Sequence, residues 1–123
     1  MVESYRDLEV WQHAREIVKR VYRVSTELPD HERFGLISQM QRAAVSIPAN
    51  IAEGWASGRR KIYLRHLAIA RGSLAELETF LTLCIDLDFV DNARLHNLQN
   101  TIDSLGRMIN RLQQSLQQRD RAP

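Results

Sequence analysis

The sequence predicts an all-α protein: an antiparallel, up-down-up-down four-helix bundle that assembles as a homo-oligomer. Three observations carry this expectation. Apolar residues recur three and four positions apart along four long segments, the connectors between those segments are short, and the third segment carries more small and apolar surface than a lone bundle would bury. At 123 residues the chain is long enough for one core, so residues 1–123 are read as a single domain. With 44% apolar residues, 26% charged residues, five glycines and three prolines, it falls outside the collagen-like, low-complexity and disordered classes.

The first helix is expected over about residues 5–27, with Trp11, Ala14, Val18, Val21 and Leu28 on one stripe and Val10, Ile17 and Val24 beside them. "LPDHERFG" ends it with Pro29 and Gly35 as breakers. The second helix is expected over about 34–56, on Ile37, Met40, Ala44, Ile47 and Ile51. Pro48 stands inside that pattern, in "RAAVSIPANIAEG". It deletes a backbone donor and leaves the carbonyl of Ala44 without its helical partner, so a kink is expected there, with Ser46 and Asn50 able to satisfy local backbone groups. The kink is expected to set the angle at which the following connector meets a neighbouring subunit.

The third helix is expected over about 60–87, after "GWASGRR" with Ser57 as its cap, and the fourth over about 91–118, capped by Asp91. The fourth has the cleanest seam: Leu95, Leu98, Ile102, Leu105, Ile109, Leu112 and Leu116. The third has its seam on Leu67, Ala70, Leu74, Leu77, Leu81 and Cys84. That assignment puts Ala68, Gly72, Ala75 and Thr79 in an outward row, with Ile69 and Leu83 adding apolar area. Mid-helix glycine costs about 1 kcal/mol relative to alanine, so Gly72 calls for a packing reason, and the row is read as a subunit interface.

Charge is uneven along this helix. From Gly54 to Ala75 there are five basic side chains (Arg59, Arg60, Lys61, Arg65, Arg71) and no acid, whereas Glu76 to Asp91 holds five acids and no lysine or arginine. Cations at a helix amino terminus oppose its dipole, so this cluster suggests an anion nearby, phosphate among the candidates. Tyr63 and Trp55 lie near enough in sequence to stack on unpaired bases, although packing within the bundle accounts for each.

Catalysis is not expected, because no site assembles. The four histidines (His13, His31, His66, His96) have no partner at metal-ligand spacing, and there is no phosphate-binding glycine loop or nucleophile motif. Glu53, Glu76 and Glu78 lack the Glu-x-x-His pairs of di-iron bundles; Glu53 is read as a partner for a nearby arginine or for exposed backbone. No cofactor or metal is expected. The single cysteine, Cys84, is read as a small core residue in a reducing compartment. No apolar run approaches a membrane span and "MVESYRDLEVW" lacks the build of a signal peptide, so the expected location is the cytoplasm.

"YRDLEVWQHAREIVKRVY", "LPDHERFGLISQMQRAAVSIPANIAEG" and "YLRHLAIARGSLAELET" resemble, in order and spacing, the bacterial four-helix-bundle proteins called 23S rRNA intervening sequence proteins. The resemblance is close over about residues 5–90 and extends to the last helix by position and amphipathicity. It implies a small cytosolic bundle without cofactor or catalysis. The related accessory variability determinants of diversity-generating retroelements form pentameric rings and bind nucleic acid, which implies a pentamer here and RNA or DNA as partner. The basic residues Arg59, Arg60, Lys61, Arg65 and Arg71 are then the expected nucleic-acid contacts. The alternative is an assembly scaffold, in which those arginines pair with acids such as Glu76 or Glu78 of a neighbouring subunit or with a protein partner.

Overall fold

A computed structural model describes residues 2–121, the side chains of residues 120 and 121 excepted. The chain opens with a 3₁₀ turn, Tyr5–Asp7, closed by a capping box. The Ser4 hydroxyl accepts from the Arg6 amide at 3.2 Å, and the Asp7 carboxylate accepts from the amides of Glu3 and Ser4 at 3.0 and 3.2 Å. Leu8 then leaves in an extended conformation, and the first α-helix, α1, runs Glu9–Ser25. The continuous helix expected from residue 5 is therefore split, because Ser4 and Asp7 close a turn of their own before Leu8.

A second 3₁₀ turn, Asp30–Glu32, precedes α2 (Leu36–Ala56), α3 (Arg60–Asp86) and α4 (Asn92–Arg121). Strands are absent among the described residues. Ser57 caps differently from expectation. Arg59 is the residue that leads into α3, while the Ser57 hydroxyl donates to the Gly54 carbonyl at 2.7 Å and accepts from the Arg59 amide at 3.2 Å, so it ties the end of α2 to the connector. At the far end of α3, Asp88 turns left-handed (φ 60°) and the Phe89 amide donates back to the Cys84 carbonyl at 2.9 Å, a Schellman closure that the short polar side chain of Asp tolerates. Asp91 opens α4 through its backbone carbonyl, which accepts from the Arg94 amide.

Each helix packs on two others: α1 on α2 and α4, and α3 on α2 and α4. The stripes read from the sequence meet in one core. Ile17, Val21, Met40, Ile47, Ile51, Leu67, Leu77, Leu81, Leu95, Ile102, Leu105 and Ile109 are fully buried. Cys84 is buried there too, its Sγ 3.4 Å from the Met40 Sδ, and burial pushes its thiol up from the ordinary value. Between α2 and α3 the contacting pairs run Met40 with Cys84, Ser46 with Ser73 and Asn50 with His66. Between α1 and α4 they run Arg20 with Thr101 and Glu27 with Arg94, and between α3 and α4 Arg71 meets Gln113. The end of α2 and the start of α3 meet at the short connector, residues 57–59.

Beside that connector α2 and α3 approach closely over Gly54. A Cβ there would sit 2.8 Å from the His66 Cβ, 3.1 Å from Tyr63 Cδ1 and 3.2 Å from the Tyr63 Cα. Neither a backbone atom nor a Cβ can swing aside, so Gly54→Ala is expected to lose about 1–3 kcal/mol, read as a lower urea midpoint at unchanged slope. Beside it the Tyr63 hydroxyl is buried without a hydrogen-bond partner, and burial pushes its pKa up to about 12. Tyr63→Phe removes that unsatisfied group and is expected to raise stability by about 1 kcal/mol in the same assay.

Candidate nucleic-acid interface and subunit face

Arg59, Arg60, Lys61, Arg65 and Arg71 are all exposed. The first four surround the opening turn of α3, which has no acid in that turn and no side chain capping its amides. Among the described residues, the side chains of Arg59, Lys61 and Arg65 form no ion pair. Arg71 stands apart. It lies about 15 Å further along the helix than Lys61, and its Nη1 donates to the Gln113 Oε1 on α4 at 3.0 Å. The five expected contacts thus divide into a cluster at the helix start and one arginine engaged with α4.

The outward row is as exposed as the spacing requires: Ala68, Gly72, Ala75 and Thr79 all face away from the core, Ile69 is 43% exposed and Leu83 39%. A Cβ built on Gly72 meets nothing within 4 Å, so its own chain supplies no packing reason for a glycine there. Neighbouring α2 adds Val45, 42% exposed, one residue before the Ser46 that bonds Ser73, just as Gly72 precedes Ser73.

Behind the two exposed faces runs a chain of polar side chains between α2 and α3. The Ser73 hydroxyl donates to the Ser46 Oγ at 2.9 Å; the Asn50 amide donates to that Oγ at 3.0 Å and to the Ser46 carbonyl at 2.8 Å. With its nitrogen so engaged, Asn50 turns its Oδ1 to the His66 Nδ1 at 2.9 Å, which makes Nδ1 the protonated nitrogen of that ring. Among the described residues Glu53 has no arginine in ion-pair contact: its carboxylate is 70% exposed and 3.9 Å from the same His66 nitrogen. Pro48 lies half-buried inside α2, which continues through it as one helix, and of the two polar residues flanking it Asn50 reaches a backbone carbonyl.

Trp55 and Tyr63 are half-buried, with Tyr63 packed on the core and its hydroxyl enclosed, so Tyr63 serves the bundle. Glu76 and Glu78 are exposed, and partial burial with the Asp103 carboxylate opposite holds the Glu78 carboxyl above its ordinary value. No group of three or more His, Cys, Asp or Glu side chains is arranged for a metal ion among the described residues. No described helix is long and apolar enough to cross a membrane.

Two arginines that the charge count did not single out, Arg6 and Arg15, lie over the rings of Tyr5 and Trp11 near the start of the chain. For Arg15 the sequence signal was Trp11 four positions before it, the spacing at which side chains meet on a helix, whereas Arg6, directly after Tyr5, carried no such signal.

Comparison with known proteins finds a family model and solved structures. The family model described as "23S rRNA-intervening sequence protein" matches residues 6–111. A crystal structure of a protein of unknown function from the S23 ribosomal protein family of Bacteroides thetaiotaomicron VPI-5482 superposes with a TM-score of 0.77 at 22% identity, over 84% of this chain and 96% of that one. No curated protein matches by sequence.

Proposed function

The chain belongs to the 23S rRNA-intervening sequence protein family, and we propose that it is a cytoplasmic, non-catalytic bundle that binds structured RNA or another nucleic acid through the start of α3. The observation that carries this reading is the exposed cluster of Arg59, Lys61 and Arg65, which no described carboxylate neutralises, on a helix start with no acid of its own. Phosphates supply the missing countercharge and accept from the uncapped amides.

The four helices run up-down-up-down and antiparallel in this reading. The opposite order of the bonded pairs along α2 and α3, and along α1 and α4, supports it. The chain assembles with itself, as the pentamer its resemblance implies, through Ala68, Ile69, Gly72, Ala75, Thr79 and Leu83. Support comes from the bare Gly72 and from the exposed Ile69, Leu83 and Val45 around it. A ring of this kind gathers the basic helix starts of all its subunits into one multivalent surface. One observation favours the scaffold reading instead: partial burial, and then the Asp103 carboxylate, hold the Glu78 carboxyl above its ordinary value, and an arginine from a neighbouring subunit would offset both.

Titration of a fluorescent structured RNA at two salt concentrations separates these readings. Phosphate binding predicts log affinity falling with log salt by about 0.7–0.9 per contact, and Arg59→Ala, Lys61→Ala and Arg65→Ala together are expected to flatten that slope by about 2. Absence of binding at low salt would sink the nucleic-acid reading. On the same samples, the mass in solution is expected to exceed that of one chain and to fall to it in Gly72→Leu with helicity intact. An unchanged assembly would remove this face from the interface.

A further inference from the structure

The start of the chain carries a second basic site. Tyr5 and Trp11 pack edge to face, ring centroids 5.4 Å apart, and each has a guanidinium over its ring: Arg6 at 5.7 Å from the Tyr5 centroid and Arg15 at 5.6 Å from that of Trp11. Together with Gln12 these four residues line an open cleft of about 580 Å³. Two cations and no acid line it. Nearby Asp7 turns its carboxylate to the amides of Glu3 and Ser4 within the capping box and does not line the cleft.

Hydrogen bonds fix the backbone that carries the walls. The capping box fixes the 3₁₀ turn that carries Tyr5 and Arg6, the Gln12 amide donates to the Arg6 carbonyl at 3.0 Å across the break at Leu8, and α1 carries Trp11 and Arg15 one turn apart. Tyr5 and Trp11 are half-buried while Arg6, Gln12 and Arg15 are exposed, so the rings form a floor and the polar groups a rim. A core has no use for arginines stacked at its open edge. Flat aromatic and guanidinium faces accept an unpaired base, and guanidinium groups beside them accept its phosphates; this pairing of stacking surface with positive charge is how single strands are held without reading their sequence.

We infer that the cleft of Tyr5, Arg6, Trp11, Gln12 and Arg15 binds an unpaired stretch of nucleic acid, a base on the aromatic floor and its phosphates on Arg6 and Arg15. The inference rests on the nucleic-acid reading above and extends it. In the antiparallel reading above, the starts of α1 and α3 lie at one end of the molecule, so a strand leaving a structured element bound at Arg59, Lys61 and Arg65 has this cleft at the same end.

The test uses the full chain carrying Trp55→Phe, which leaves Trp11 as the one tryptophan, and unstructured oligouridylate or oligothymidylate of about ten nucleotides, within the usual size of a single-strand site. Binding is expected to quench Trp11 emission, whereas inorganic polyphosphate, which has no base, leaves it unchanged. Both quenching by the RNA strand and quenching by the DNA strand support the site, and their relative affinities separate the two sources. In the unmodified chain, Arg6→Ala with Arg15→Ala is expected to weaken oligonucleotide binding about tenfold with helicity unchanged. Arg33→Ala, an exposed arginine before α2 at the opposite end, is expected to leave it unchanged. Binding that needs Arg59, Lys61 and Arg65 but neither quenches Trp11 nor responds to loss of Arg6 and Arg15 would overturn the cleft and leave the α3 site standing. An equal loss in Arg33→Ala would also overturn it, since bulk charge would then account for the effect. Failure of the unmodified chain to bind any nucleic acid at low salt would overturn both sites together.

Discussion

The close approach of α2 to α3 over Gly54 is the constraint on which the basic end of this molecule depends. Only three residues separate Ala56 from Arg60, so wherever α2 ends, α3 must begin beside it. Gly54 allows that by leaving empty the space where a side chain would strike the Tyr63 backbone and the His66 Cβ. Ser57 then fastens the connector to the end of α2 through the Gly54 carbonyl, and the basic residues emerge in a fixed direction. Small residues carry the same closeness further along the seam: Ala43, Ala44 and Ala70 are buried there, and Ser46 and Ser73 come near enough to bond. A larger residue at 46 or 73 would displace the hydroxyl-to-hydroxyl contact from which the run of hydrogen bonds to His66 starts.

The bundle was legible where burial alone decides structure. The α4 seam was read residue for residue, and Leu95, Leu98, Ile102, Leu105, Ile109 and Leu116 are all buried, with Leu112 half-buried at its edge. Local polar chemistry was harder to read. Ser4 and Asp7 make a capping box that looks, in a periodicity count, like one more turn of the first helix. Ser57 has the composition of a helix cap but faces back to α2, because its hydroxyl finds the Gly54 carbonyl first. Side-chain partnerships between helices were not legible at all. Nothing in the spacing of residues 46, 50, 66 and 73 announces that they will bond in series, since that depends on the relative height and rotation of two helices.

The candidate site shows the same division. Exposure of the outward row on α3 followed from placing the seam inward, a consequence of helical geometry. The distance of Arg71 from the other four along the helix followed from spacing, but its engagement with α4 did not, because that required knowing that α4 offers Gln113 on that side. Tyr5 and Trp11 each had a plausible place in the apolar pattern, and only the break at Leu8 brings their rings and the flanking arginines together.

The uncapped start of α3 also bears on how tightly that part of the chain is held. Arg59 and Lys61 oppose the helix dipole, and no side chain closes the first amides, so the opening turn is sustained largely by the packing of Tyr63, Leu64 and Leu67 beneath it. Its local opening free energy is consequently set low relative to the middle of the same helix, where the seam is fully buried. An anion that settles there contributes both the cap and the countercharge that the sequence withholds. Ligation and ordering of that turn are then thermodynamically linked, each favouring the other by the same factor.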